Sequence, residues 1–533
     1  MLQIDPRDNV LVALEKLPAG MTIPFNGGEV ILKNHVPPKH KFTTKDLGKD
    51  DEVVMYGVLV GKTTEAVPKG GLLTTENLRH ASNENYQRTV DEVTWNPPDV
   101  SKFEHLTFQG YHRPDGRVGT RNYWLFIPMV FCENNNLKLI REAMLSELGY
   151  GHENDYKSFV RELINVESNG SNGVRRERVF ENIDGIKFLT HEGGCGGTPD
   201  DSIMLGKLLA GYANHPNVAG VTVMSLGCQH LQVKLFMDLL HEINPNFDKP
   251  LLVFEQQSFH SVDELIKKVI QKTIEGLREA NKLQRKPAPL SQLVLGMECG
   301  GSDGFSGISA NPTVGRVSDY MAVLGGKVIL SEFPELFGAE QNLVNRMVSE
   351  NLADKFTYLM KSYNASAEAA GSGFDMNPSP GNIRDGLITD AIKSLGAARK
   401  GGSSPITDVL DYTQQIKEKG LTLLCTPGND VESTTAMAGS GANVLLFTTG
   451  LGTPTGNPIS PTIKISSNSR LANNMPDIID FNSGDIIDGT KSLEEAATEL
   501  LKLVVRVASG EQRTRAEVLH QDDFIPWKRG VSL

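Results

Sequence analysis

Long apolar runs are missing from this chain, and so is any surplus of positive charge. No run reaches the roughly 18 residues needed to cross a bilayer, so no membrane partner is expected. The opening Met1-Leu-Gln-Ile-Asp-Pro-Arg-Asp8 lacks a basic stretch followed by an apolar one, which argues against a secretory signal and for a cytoplasmic protein. A net charge of −12 with no basic stripe argues against nucleic acid as a partner. Five cysteines in 533 residues cannot build a disulfide framework; in a reducing compartment they are core residues, metal ligands or reactive thiols. Several motifs are absent as well. No Gly-x-Gly-x-x-Gly follows the first α/β strand and no Gly-x-x-x-x-Gly-Lys-Ser/Thr occurs, which demotes nicotinamide and P-loop nucleotide binding. No His-Glu-x-x-His is present, so a zincin reading fails.

What remains is an ordinary globular composition, 39% apolar and 22% charged, in a chain long enough for two to four domains. Residues 1–92 read as a small β-rich module, with β-branched runs at Val10, Glu29 and Glu52 separated by Gly, Pro and Asp turns. His40 and His80 lie in this module, and a histidine pair there is a candidate metal site. Asn96-Pro97-Pro98-Asp99 marks a linker. From 108 to 285 strands at 123–131, 186–190, 218–226 and 251–254 alternate with helical stretches, which indicates a mostly parallel sheet. A second α/β unit spans 291–533, with strands expected at 292–297, 327–331, 421–425 and 443–448 and helices at 316–325, 336–350, 431–439 and 490–508. Between linker and first strand, Arg113, Arg117 and Arg121 put three guanidinium groups within nine residues, suited to gripping carboxylate; a solvated basic loop is the plainer alternative.

Two features carry chemistry. Glu298-Cys-Gly-Gly-Ser-Asp-Gly-Phe-Ser-Gly307 crowds Glu298, Cys299, Ser302 and Asp303 at the carboxyl end of an expected strand, with Arg316 opening the helix beyond. Open α/β sheets bind ligands at such mouths, although a Gly-rich turn can merely join strand to helix. Cys132, Cys195 and Cys228 each follow one of three successive strands, so they are expected to converge although far apart in sequence. Three thiolates suit an iron–sulfur centre or another soft metal. Cys425, inside an apolar run, reads as core.

The chain resembles the altronate/galactarate dehydratase family over nearly its full length. The matching words include Lys39-His-Lys-Phe42, Arg113–Asn122, Gly227-Cys228, Glu298-Cys-Gly-Gly-Ser-Asp-Gly304, Phe337-Gly-Ala-Glu340, Asn377-Pro-Ser-Pro-Gly-Asn382, Pro427-Gly-Asn-Asp430 and Gly452-Thr-Pro454. The resemblance implies an N-terminal SAF-like (β-clip) domain followed by two α/β units. It also implies a hydro-lyase of hexuronate catabolism that turns D-altronate into 2-dehydro-3-deoxy-D-gluconate and water, dependent on Fe²⁺ or Mn²⁺. Many family members carry a His-x-His-x-His run where this chain has Leu72-Leu-Thr-Thr-Glu76.

These readings place the metal on Cys132, Cys195 and Cys228, as a single ion or an iron–sulfur cluster, or on His40 with His80. Arg113, Arg121, Asn122, Ser302, Arg316 and Asn382 are assigned to substrate oxygens, where guanidinium groups would steady the charge of a carbanion-like species. His191, His230, Glu298 and Asp303 are four unranked proton shuttles. The expected partner is a small-molecule sugar acid, with further copies of the chain in a homo-oligomer. Galactarate dehydration is the nearest rival; a non-catalytic sugar-acid binder and an NAD-linked oxidoreductase are more distant ones.

Overall fold

The structure is a computed structural model and describes residues 1–81, 86–151, 155–164 and 177–532. It divides into two compact units, Met1–Phe108 with Pro287–Asp523, and Gln109–Lys286 with Phe524–Leu533. The β-rich module therefore shares a unit with the C-terminal α/β domain, and the C-terminal tail belongs to the second unit.

The module is built from short antiparallel pairs: Val10–Val12 with Lys41–Thr43, Thr22–Phe25 with Gly28–Ile31, and Glu52–Met55 with Val58–Thr63. Two of its hairpins turn on two residues with positive φ, Asn26 (49°) with Gly27 (73°) and Tyr56 (58°) with Gly57 (74°). That geometry matches the natural twist of paired strands and is why Asn-Gly serves so well there. Leu11, Ile23, Val30 and Phe42 fill the small core. Lys39, Lys41 and Val60 tie the module to the α/β part of its unit. Lys39 reaches Asp303 and Asp385, each at 2.9 Å, Lys41 donates to the Gly386 carbonyl at 2.6 Å, and the Val60 carbonyl accepts from the Thr389 hydroxyl at 3.0 Å.

That α/β part is a seven-stranded sheet in the spatial order Ile406–Leu410, Gly420–Leu424, Lys327–Leu330, Val294–Cys299, Val444–Thr449, Thr462–Ser466, Phe481–Asn482. Its neighbours run parallel. Sheets covered on both faces read as continuous apolar runs, as Val444–Thr449 does, and this is why pattern alone located the inner strands. From the central strand Val294–Cys299 the chain passes to Lys327–Leu330 on one side, while Val444–Thr449 lies on the other. Such a reversal of direction opens a crevice at the carboxyl ends of the strands. The helix after the central strand spans Ala310–Val323, six residues earlier than expected, because Pro312 falls in the first turn, where a missing N–H costs nothing. The single helix expected at 336–350 is two, Glu340–Arg346 and Glu350–Ala369, parted where Met347 bridges to Ile406.

The second unit holds a four-stranded parallel sheet ordered Gly185–Phe188, Tyr123–Pro128, Val218–Ser225, Leu251–Glu255. Trp124 anchors its core. The indole N–H donates to the Thr222 hydroxyl at 2.9 Å, and a Cβ added at Gly276 would lie 2.1 Å from the ring. Among the described residues no helix is long and apolar enough to cross a membrane.

Candidate active site

The central strand ends in Glu298 and Cys299, both buried, and the neighbouring strand Lys327–Leu330 runs straight into Ser331 and Glu332. Glu332 has φ 64° and ψ 60°, a left-handed conformation that costs a non-glycine residue energy and tends to mark working sites. The strain turns its carboxylate to the mouth of the central strand. There Oε2 accepts from the Cys299 N–H at 3.2 Å and from the Lys400 ammonium at 2.5 Å. Lys400 also lies 2.7 Å from Cys299 Sγ, and the thiol donates to Glu335 Oε2 at 3.2 Å. Glu335 is paired through its other oxygen with Lys393 at 2.7 Å. On the far side, Glu298 Oε2 accepts from the Ser433 hydroxyl at 2.6 Å, and Ser433 is held in turn by Ser331 and Thr426. Asp430, the first residue of the helix Asp430–Gly439, closes the group over Gly300. A Cβ at Gly300 would lie 1.9 Å from Asp430 Oδ2 and 2.7 Å from Phe447 Cζ, so any side chain there would displace them.

The electrostatics follow from burial. Desolvation pushes the Glu298 carboxyl well above the usual range, and the Glu332 charge adds to the effect. Asp430 is pushed up to about 7, first by burial and then by Glu332 and Glu335. Burial alone would raise Glu335, yet Lys393 and Lys400 hold it below the normal value. Lys464 lies beside Phe447, which in turn lies beside Glu298, a lateral row across three parallel strands. Its ammonium stands 3.1 Å from the centre of the Phe447 ring with no hydrogen-bond partner, and burial lowers its pKa to about 7.

Of the residues singled out from the sequence, Glu298 and Cys299 belong to this cluster. Asp303 is buried nearby, and its oxygens accept from Ser306, Ser467, Asn468 and Lys39, which fastens the loop. Asn382 caps its own short helix through Ser379, and its amide donates to the Ser302 carbonyl at 2.8 Å; both hold the loop. Arg316 pairs with Glu494, on the helix Leu493–Ala508, at 3.1 Å. His40 is turned to the Pro38 carbonyl at 3.0 Å, whereas His80 stacks on Phe337 and faces Asp390 at 3.5 Å. Among the described residues no trio of converging metal-ligand atoms includes either histidine.

In the second unit the loops bearing Cys132, Cys195 and Cys228 do adjoin, because their strands are parallel neighbours. Phe131 N–H donates to the Gly193 carbonyl at 3.1 Å and His230 N–H to the Gly194 carbonyl at 3.0 Å. All three thiols are exposed, and the three sulfurs do not all lie within 4.8 Å of one another. The donor type and the shared edge fit a cluster better than a lone cation. Arg113, Arg121 and Asn122 are at the other end of the same sheet, before Tyr123–Pro128, a strand of six residues at about 3.3 Å each. They cannot serve a centre at the cysteine edge. Arg113 is buried and donates to the Pro216 and Arg121 carbonyls, Arg121 donates to the Thr120 carbonyl, and the Asn122 amide to Asn182 and Ala280. His191 is also committed: Nε2 meets the Pro128 carbonyl at 2.7 Å, Nδ1 accepts from Gly193 N–H at 3.1 Å, and burial drops its pKa to about 4. It is a neutral brace. His230 is exposed beside Cys228.

Glu332, Glu335, Lys393, Lys400 and Lys464 escaped the sequence reading. One signal was available, since Ser331-Glu332 follows a strand directly, as Glu298-Cys299 does. The lysines gave none: Lys400 opens a Gly-Gly-Ser-Ser stretch that reads as a loop.

Comparison with known proteins agrees with the resemblance along the whole chain. Residues 1–81 match the altronate/galactarate dehydratase SAF domain, 110–281 the second domain of D-galactarate dehydratase/altronate hydrolase, and 290–532 the C-terminal domain of D-galactarate/altronate dehydratase. Altronate dehydratase of Bacillus subtilis is 34% identical over 100% of this chain and 99% of its own length. The Escherichia coli altronate dehydratase is also 34% identical, over 100% and 99%. Galactarate dehydratase (L-threo-forming) of Escherichia coli is 30% identical over 96% of this chain and 93% of its own. The chain belongs to the altronate/galactarate dehydratase family.

Proposed function

We propose that the protein is a hydro-lyase converting D-altronate into 2-dehydro-3-deoxy-D-gluconate and water. The observation that carries this reading is the full-length similarity to two altronate dehydratases, joined to a buried carboxylate–ammonium cluster at the mouth of the central strand. The reaction takes the proton from C2 and the hydroxyl from C3, and the resulting enol rearranges to the 2-keto acid. Its hard step is the first, because the anion left at C2 loads further negative charge onto the adjoining carboxylate.

Lys464 is the amine suited to take that proton, being buried, free of hydrogen bonds and near neutrality in its pKa. Lys400 holds Glu332 in its strained conformation and keeps positive charge at the mouth before substrate arrives, so no reorganisation is needed as the anion forms. Fe²⁺ or Mn²⁺, when bound, would supply Lewis-acid polarisation of the substrate carboxylate. The alternative cofactor, an iron–sulfur cluster, is supported by the adjoining Cys132, Cys195 and Cys228 loops. Five free thiols suit a reducing cytoplasm.

The test is anaerobic incubation with Fe²⁺ or Mn²⁺ and either D-altronate or galactarate, followed by assay of the keto-acid product. Turnover of altronate with the higher kcat/KM is expected. Preference for galactarate, or no product from either acid, overturns the reading.

A further inference from the structure

We propose that a cavity behind the helix carrying Lys393 and Lys400 binds a small anion bearing a phosphate or carboxylate group, held by Arg346, Arg399 and the Tyr56 hydroxyl. The cavity measures roughly 230 Å³, below the ~300 Å³ at which pockets for drug-sized ligands begin, so its occupant is small. Two helices and a hairpin tip build it. Asn342 and Arg346 sit four residues apart on the helix Glu340–Arg346, and Leu395 and Arg399 four apart along Asp390–Ala398 and the turn that follows, a spacing that puts each pair on one face. Lys393 and Lys400, seven apart, use the opposite face of that second helix to reach Glu335 and Glu332. The cavity therefore lies outside the carboxylate cluster.

Donors with nothing to donate to mark the site. Arg346 commits Nε and Nη2 to the Ser404 carbonyl, at 3.1 and 2.8 Å, and Nη2 also to the Gly401 carbonyl at 3.0 Å. Those bonds fix the plane of the guanidinium, and Nη1 is left without a hydrogen-bond partner among the described residues. Arg399 makes one long contact, from Nη1 to the Gly307 carbonyl at 3.5 Å, and stands 5.6 Å from the centre of the Tyr56 ring. The Tyr56 hydroxyl lies against Gly307 too, where an added Cβ would collide with it, and it has no partner among the described residues. Both side chains thus meet at Gly307 and line the same cavity.

The charges call for an anion. Among the described residues neither guanidinium forms a salt bridge, and burial lowers the pKa of Arg346 to about 10, as expected of a cation short of counter-charge. Asp319, the carboxylate that Arg346 feels, accepts from Ser403 and Ser404 instead. Asp5, the acidic residue on the cavity wall, is gripped by Arg7 through Nε at 2.8 Å and Nη2 at 2.9 Å, and Arg399 is the smallest of the influences on it. A guanidinium fork fits phosphate and carboxylate oxygens, while Leu395 and Ala398 offer an apolar wall to a short carbon chain.

The experiment is isothermal titration of the intact protein with inorganic phosphate, glycerol 3-phosphate and malonate, in a buffer free of other multivalent anions and without any sugar acid. At least one of the three is expected to bind wild type at one site per chain. Arg399→Gln should weaken that binding by about 10-fold or more, the worth of one hydrogen bond to a charged group. Tyr56→Phe, which keeps the ring and removes the hydroxyl, should weaken it as well. Lys464→Met, which removes a cation at the strand mouth, should leave it unchanged. Each variant is first checked for native circular dichroism, and the bound anion should raise the melting temperature of wild type more than that of Arg399→Gln. Binding by the phosphates alone assigns the site to a phosphoryl group and binding by malonate to carboxylates; either keeps it. Failure of all three anions to bind, equal affinity in wild type, Arg399→Gln and Tyr56→Phe, or loss in Lys464→Met alone overturns the site.

Discussion

Glu332 Oε2 receives the Lys400 ammonium at 2.5 Å, with the two side chains 0% and 1% exposed. Removing one partner from so dry a pair strands the other's charge, at a cost of about 3–5 kcal/mol. Lys400→Met should therefore lower stability by that order and release Glu332 from its left-handed conformation. Urea unfolding checks the first effect; loss of activity per folded molecule checks the second. Lys400→Arg should not rescue, because a planar guanidinium does not reproduce the compact ammonium between Glu332 and Cys299.

Glu340 offers a pH test away from the cluster. Its carboxylate is 3% exposed and accepts from Gly338 N–H at 2.7 Å; burial raises its pKa from 4.5 to about 7. A raised folded-state value means the group favours folding below about 4.5, loses that contribution as pH rises, and costs its full amount above 7. The difference is about 3 kcal/mol at roughly 1.4 kcal/mol per pH unit. Glu340→Gln should leave stability nearly unchanged at pH 5 and raise it at pH 8, by chemical denaturation at the two values.

Arg113 separates a structural arginine from a substrate-binding one. Its guanidinium satisfies the Pro216 and Arg121 carbonyls. Arg113→Met should destabilise the protein by about 1–3 kcal/mol through those orphaned acceptors, while KM for altronate stays at the wild-type value. A raised KM with unchanged stability would return Arg113 to the substrate.

Lys39 joins the N-terminal module to Asp303 and Asp385. Lys39→Met should cost about 2 kcal/mol, the worth of hydrogen bonds to charged groups, and limited proteolysis should then cleave nearer the module.

The architecture was legible wherever burial on both faces wrote a continuous apolar run, as at Val218–Ser225 and Val444–Thr449. It was illegible at Ile406–Leu410 and Thr462–Ser466, where Asp408 and Lys464 interrupt the pattern for reasons of tertiary contact. Strand-end logic found Glu298 and the neighbouring cysteine loops, because parallel strands deliver their carboxyl ends to one edge. It misjudged Arg113 and Arg121, which precede a strand and so lie at the opposite edge. Residue type also misled at His191, whose hydrogen-bonding capacity is already used; saturation of that kind is visible only once neighbours distant in sequence are in place.

The most direct test is the steady-state rate of D-altronate dehydration by Glu298→Gln, with Fe²⁺ or Mn²⁺ supplied and native folding confirmed. Glutamine keeps the shape and an oxygen for the Ser433 hydroxyl but cannot take up or release the carboxyl proton. A fall in kcat of about 10²-fold or more, the scale of a lost catalytic group, is predicted. A variant that turns over altronate at the wild-type rate contradicts the account.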